Sequence, residues 1–159
     1  MNIVSAFFCA ASETARDVAE SYVCEDIGTL PSHPLEALTI SNVHVSLPDM
    51  SKANGATSTK FLHMLEAYVD DFIQLVQTKD PKVLMHCSRA LMHGIHSVFP
   101  PPAVTGHSGK EPISGKKLLE SKGLWEIRKE ILGWMMDGVT RWIELSKKKQ
   151  KRSSPSSRQ

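Results

Sequence analysis

The sequence is poor in cysteine and in aromatics, and it has no long apolar run. Its three cysteines, Cys9, Cys24 and Cys87, are odd in number and show no Cys-x-x-Cys spacing. A disulfide framework or a structural zinc site needs paired or closely spaced cysteines, so a reducing compartment is the simpler expectation. No stretch approaches the ~20 apolar residues that cross a bilayer. The apolar opening from Met1 to Ala11 lacks the basic lead of a secretory signal. These absences predict an intracellular protein, neither secreted nor membrane-borne. Aromatics are only 6% of the 159 residues, yet apolar residues reach 41%, which is enough for a core in a chain of single-domain length.

Acid is absent from the C-terminal end. Residues 146–159 carry six of the 19 basic residues and no Asp or Glu, which leaves residues 1–145 with thirteen basic against 17 acidic residues, a net of −4. The overall +2 therefore describes the tail and not the body. A protein that grips nucleic acid carries its positive charge on the folded surface, so strong nucleic-acid binding by this chain is not expected. The tail is expected to be disordered. Its run Lys147-Lys148-Lys149-Gln150-Lys151-Arg152 reads either as a nuclear-import or phosphate-binding segment, giving a cytoplasmic or nuclear location, or as a solubilising end.

Along the body, residues 12–24 read as a helix, with Ser12 as its cap and Ala15, Val18, Ala19, Tyr22 and Val23 at helical spacing. Residues 25–58 are turn-rich, with a short strand at 43–47. A second helix follows, with Asp80 as N-cap, Pro81 at its first position and Val83, Leu84, Cys87, Leu91, Gly94, Ile95 and Val98 along one face. Pro100-Pro101-Pro102 stops it. Residues 103–123 read as a loop, including Gly106-His107-Ser108-Gly109, which lacks the context of a phosphate-binding loop. Leu124-Trp125-Glu126-Ile127, residues 131–136 and residues 139–145 then read as strands, with Asp137-Gly138 as a turn.

Residues 60–77 fit two descriptions. Phe61, Leu65, Tyr68, Val69, Phe72 and Val76 make a helical stripe, and the same segment makes two strands around Val69-Asp70-Asp71. The difference decides the chemistry. On a helix, Asp70 and Asp71 are neighbours on a polar face. At a hairpin tip, two adjacent carboxylates that repel each other gain from a divalent cation. By spacing alone an Asp-Asp pair is more often surface charge than a metal site. Of the seven histidines, His93 and His96 lie three apart on a helix, a spacing zinc can use, but no Cys or carboxylate pattern accompanies them and surface or capping histidines are the commoner case.

Together these segments resemble the reverse transcriptase of long-terminal-repeat retrotransposons over residues 3–145. Tyr68-Val69-Asp70-Asp71 is similar to that family's Y-x-D-D signature. Ser5-Ala6-Phe7-Phe8-Cys9 is similar to the end of its template- and nucleotide-positioning segment, although Ser5-Ala6 stands where the family often has Ser-Pro. Residues 81–99 correspond to the helix under the palm sheet, and Ile131-Leu132-Gly133-Trp134 to the Leu-Gly step of the hairpin near the primer end. The resemblance implies an α+β fold: an incomplete polymerase palm, with an antiparallel sheet, two packing helices and a C-terminal β-hairpin. It implies Asp70 and Asp71 as catalytic and Mg²⁺-binding residues, with Phe8, Tyr68, Leu132 and Gly133 near primer or nucleotide.

The family's first catalytic Asp lies on a strand upstream of the segment at which this sequence starts. Without that carboxylate the metals would be held loosely and in-line attack would not form. The expectation is therefore a polymerase fragment inactive by itself, weak on nucleic acid, with Mg²⁺ bound weakly or not at all. An open sheet edge should favour self-association. The alternative is a small, mainly helical, non-enzymatic interaction module that docks through 60–77.

Overall fold

The computed structural model describes residues 3–39, 61–69, 71–78, 80–102, 110–120 and 122–146. The strand expected at 43–47, the Gly106–Gly109 loop and the basic run lie outside them. The described residues fall into two compact units, one ending at Trp125 and one starting at Glu126. Both helix and antiparallel sheet are present, so the fold class is α+β.

The first unit is built on two helices, α1 (Ile3–Val23) and α2 (Pro81–Val98). They run antiparallel. Phe8, early in α1, stacks on Phe99 just beyond α2, with ring centroids 5.8 Å apart. At the other end, the imidazole Nε2 of His86 donates to the Val23 carbonyl at 3.3 Å, satisfying an acceptor left over in the last turn of α1. The contact is close because the residues are small. Ala15, Ala19 and Ala90 are fully buried, and a Cβ placed on Gly94 would lie 2.6 Å from the Ala19 Cβ and 2.8 Å from the Ala15 carbonyl oxygen.

The start of α2 follows its sequence. Asp80 is the N-cap, accepting from the Lys82 N–H at 2.9 Å, and Pro81 opens the helix. The start of α1 does not. Ser12 is not a cap but a buried residue in mid-helix, because the helix begins nine residues earlier. The apolar Ile3–Ala11 stretch contains no Pro or Gly to stop helix formation.

Residues 62–68 and 71–77 are strands. β1 (Leu62–Tyr68) and β2 (Asp71–Gln77) form a two-stranded antiparallel sheet in the register Leu65 with Gln74 and Tyr68 with Asp71. Directly paired residues share a face. One face, with Leu65, Ala67, Phe72 and Val76, is turned to the helices, and Leu65 is 1% exposed. The opposite face leaves Leu62, Met64 and Leu75 exposed. Val76 and Phe61 pack on a cluster of Val23, Leu30, Val83, Cys87 and Ala90. Burial pushes the Cys87 thiol up to about 12, so it behaves as a small core hydrophobe.

Two short pieces complete this unit. A 3₁₀ turn, Glu36–Leu38, lies in a strap that runs along α2, and α3 (Gly115–Leu119) is capped by Ser114. The Trp125 indole N–H donates to the Ser88 hydroxyl at 2.8 Å, and the Trp125 backbone N–H donates to the Thr39 carbonyl at 3.2 Å.

The second unit is a meander of β3 (Arg128–Ile131), β4 (Trp134–Asp137) and β5 (Trp142–Leu145) in that order. The sequence placed strands at 124–127 and 131–136. The structure shifts them because Leu132 and Gly133 form the turn, with φ of 52° and 84°. Two consecutive positive φ values suit the twist of a two-residue hairpin. The expected turn at Asp137-Gly138 is longer than foreseen. The Asp137 carboxylate accepts from the Val139 and Thr140 N–H groups at 2.9 and 3.0 Å, and β5 begins only at Trp142.

Candidate functional site

The tip of the β1–β2 hairpin holds the residues that the sequence singled out. Only Val69 and Asp70 separate the strands. Val69 has φ of 58°, a left-handed conformation that β-branched residues rarely adopt and that primed hairpin turns require at their first position. Tyr68 closes the ladder opposite Asp71 and is 58% exposed. Asp70 lies outside the described residues. The Asp71 carboxylate is half-exposed and paired with the Lys117 ammonium at 3.2 Å, from a helix that begins 44 positions later.

The other predicted residues are on other elements. Phe8 is on α1, stacked on Phe99. Leu132 and Gly133 are the β3–β4 turn of the second unit. The tip therefore gathers Tyr68 and Asp71, with Lys117 as a partner that no sequence signal announced. Mg²⁺ wants several carboxylate or carbonyl oxygens in octahedral array. Among the described residues the tip supplies one carboxylate, already ion-paired, and no group of three His, Cys, Asp or Glu side chains is placed to hold a metal ion. The described part of the tip thus supplies one of the several oxygens that Mg²⁺ takes.

A second polar constellation lies between α2 and the strap. Arg89 grips Glu36 in bidentate fashion, Nε to Oε2 at 2.5 Å and Nη2 to Oε1 at 2.9 Å. That hydrogen bond holds the Glu36 carboxyl below its usual range and raises Arg89. Glu36 also accepts the His33 backbone N–H at 2.9 Å, which fixes the start of the 3₁₀ turn. His33 is 5% exposed, and its Nδ1 accepts from the Leu35 N–H at 3.2 Å. Its proton must then sit on Nε2, which donates to Nδ1 of His96 at 3.0 Å. His96 in turn donates from Nε2 to the Glu111 carboxylate at 2.6 Å. His93 donates to the Pro31 carbonyl at 3.0 Å and lies edge-on to His33. Burial, helped by His96 and His93, pushes His33 down to about 4.

The spacing of His93 and His96 was visible in the sequence, but the chain distance from His33 to His96 is 63 residues and nothing local announced it. A third polar pair sits under the hairpin. The Gln74 amide donates to His63 Nε2 at 3.0 Å and to the Cys87 carbonyl at 3.2 Å, and burial lowers His63.

Comparison with protein-family models, with curated proteins and with solved structures finds no match to this chain. Among the described residues no helix is long and apolar enough to cross a membrane.

Proposed function

We propose that the chain corresponds to part of the palm of an RNA-directed DNA polymerase of the long-terminal-repeat retrotransposon kind, and that these 159 residues do not polymerise by themselves. One observation supports this reading above the others: residues 62–77 form a tight hairpin closed by Tyr68 and Asp71. A Y-x-D-D motif in mid-helix would turn its side chains ~100° apart per residue. At a two-residue connection the motif's acidic end is kept at the tip of the ladder. The helix α2 that follows, and the Leu132-Gly133 turn after it, keep the order the resemblance implies. β1 and β2 stand where the interaction-module reading placed an amphipathic helix.

The same reading assigns no strong partner. With a body of net −4, any binding of nucleic acid would come from residues 147–152, which would also direct the protein to the nucleus from the cytoplasm. Self-association would use the outer face of the hairpin, where Leu62 is 72% exposed. Primer extension with Mg²⁺ or Mn²⁺ should give no nucleotide incorporation. Incorporation that Asp70→Asn abolishes would overturn the assignment as inactive. The origin is tested separately by translating the DNA just upstream of Met1 in all frames. A strand-like segment bearing an Asp is expected, and its absence from every frame would contradict the polymerase descent.

A further inference from the structure

The strap of residues 30–39 is held to α2 by bonds that leave no room for a proton. The chain of bonds runs from the Leu35 N–H to His33 Nδ1, from His33 Nε2 to His96 Nδ1, and from His96 Nε2 to Glu111. Each imidazole carries one hydrogen, and each hydrogen has one acceptor. A proton added to His96 places an N–H against the His33 N–H. If His33 switches tautomer to relieve that, its Nδ1–H faces the Leu35 N–H instead. A proton added to His33 has the same result directly. Every protonated form of the pair therefore loses at least one bond and sets two donors against each other at a ring that is 5% exposed.

The surrounding charges do not remove the conflict. From α2, His93 faces His33 edge-on, and Arg89 is already bound to Glu36. Glu36 is the acid of the strap itself, and its carboxylate is occupied by Arg89 and the His33 N–H. Glu111, ahead of α3, is the remaining acid; like Glu36 it favours charge on His33, but burial of the ring outweighs both. Among the described residues these are the titratable and charged groups that meet His33.

We propose that His33, His96 and Glu111 form an acid-operated latch: neutral, it holds the strap along α2, and on proton uptake it releases the strap while α1, α2 and the hairpin stay folded. The direction follows from the burial of His33. A histidine held at about 4 in the closed form and near its ordinary value of 6.5 when released takes up its proton more readily in the open form. The closed form is therefore fully favoured above 6.5 and loses ground as pH falls from 6.5 towards 4.

Hydrogen exchange on the whole chain, corrected for the intrinsic pH dependence of the rates, tests this. Leu38 and Thr39 donate to the carbonyls of Leu35 and Glu36, so their amides report the strap. Between pH 7 and pH 4.5 their protection should fall at least tenfold, one unit or more in log K, while α2 amides change less than twofold. His33→Gln, whose amide donates and accepts without titrating, should reduce the fall at the strap to under twofold, and His93→Gln should keep it. An equal fall in His33→Gln, no fall in the natural protein, or a parallel loss at α2 would each overturn the latch. A second readout needs no variant. The imidazole resonances of His33 should titrate with the same midpoint as the loss of strap protection, and a separate midpoint would also overturn it.

Discussion

At the hairpin tip, Asp71 is half-exposed and its described side-chain partner is one lysine at 3.2 Å, whereas at the strap His33 is 5% exposed and bonded through both ring nitrogens and its backbone N–H. The tip is made of neighbours in sequence and takes its geometry from a two-residue connection. The strap site is made of residues 33, 36, 89, 93, 96 and 111, and takes its geometry from helix packing. The comparison separates two meanings of a conspicuous residue. An acidic pair flanked by strands is visible at once, yet its described part is a single ion-paired carboxylate. The bond between buried His33 and His96 is invisible in the sequence, yet it engages the second ring nitrogen of His33.

The scaffold shared by both regions should be the most sensitive point. Gly94→Ala puts a methyl group where the Ala19 side chain and the Ala15 and Ala19 backbone already stand, so the helices must part. A loss of about 2–4 kcal/mol in denaturant unfolding is expected, with hairpin and strap failing together. If the loss is under 0.5 kcal/mol on the order of experimental error, α1 and α2 are not in the contact described.

A smaller change separates the two regions. Arg89→Met keeps the aliphatic stem and strands the Glu36 carboxylate, both side chains being under one-fifth exposed. A cost of about 1–3 kcal/mol is expected, with exchange accelerated at the strap and unchanged at the tip. Equal acceleration at both would mean that the two regions are one cooperative element.

The smallest effect belongs to the tip. Val69 is β-branched at φ 58°, and glycine adopts that conformation without the Cβ clash. Val69→Gly should leave stability unchanged or raise it by about 0.5–1 kcal/mol, since relief of the clash offsets the entropy of the unfolded glycine. A clear loss would mean that Val69 is not left-handed.

How much of this was legible follows residue by residue. The start of α2 was readable because Asp80-Pro81 is a local signal whose physics is complete within two residues. The hairpin was readable only as one of two options. Both faces of β1 and β2 carry apolar residues, Leu65 and Val76 within and Leu62, Met64 and Leu75 without, so the alternation that marks a half-buried strand is blurred. Ser12 misled because a good capping residue in a long helix looks the same in sequence as one at its start; here it is buried where α1 is already two turns long. The Leu132-Gly133 turn was hidden by leucine, which seldom takes a positive φ and which made the pair read as strand. The Asp71–Lys117 and His33–His96 pairs span 46 and 63 residues, and only packing brings them together.

The account depends most on residues 62–77 being strands, because the functional reading rests on where that hairpin puts Tyr68 and Asp71. Nuclear Overhauser contacts across the ladder test it most directly. Strong Hα–Hα contacts between paired residues, Ala67 with Phe72 and Leu65 with Gln74, are predicted. Their absence, with the sequential amide and i to i+3 contacts of a helix running through residues 65–74 instead, would contradict it.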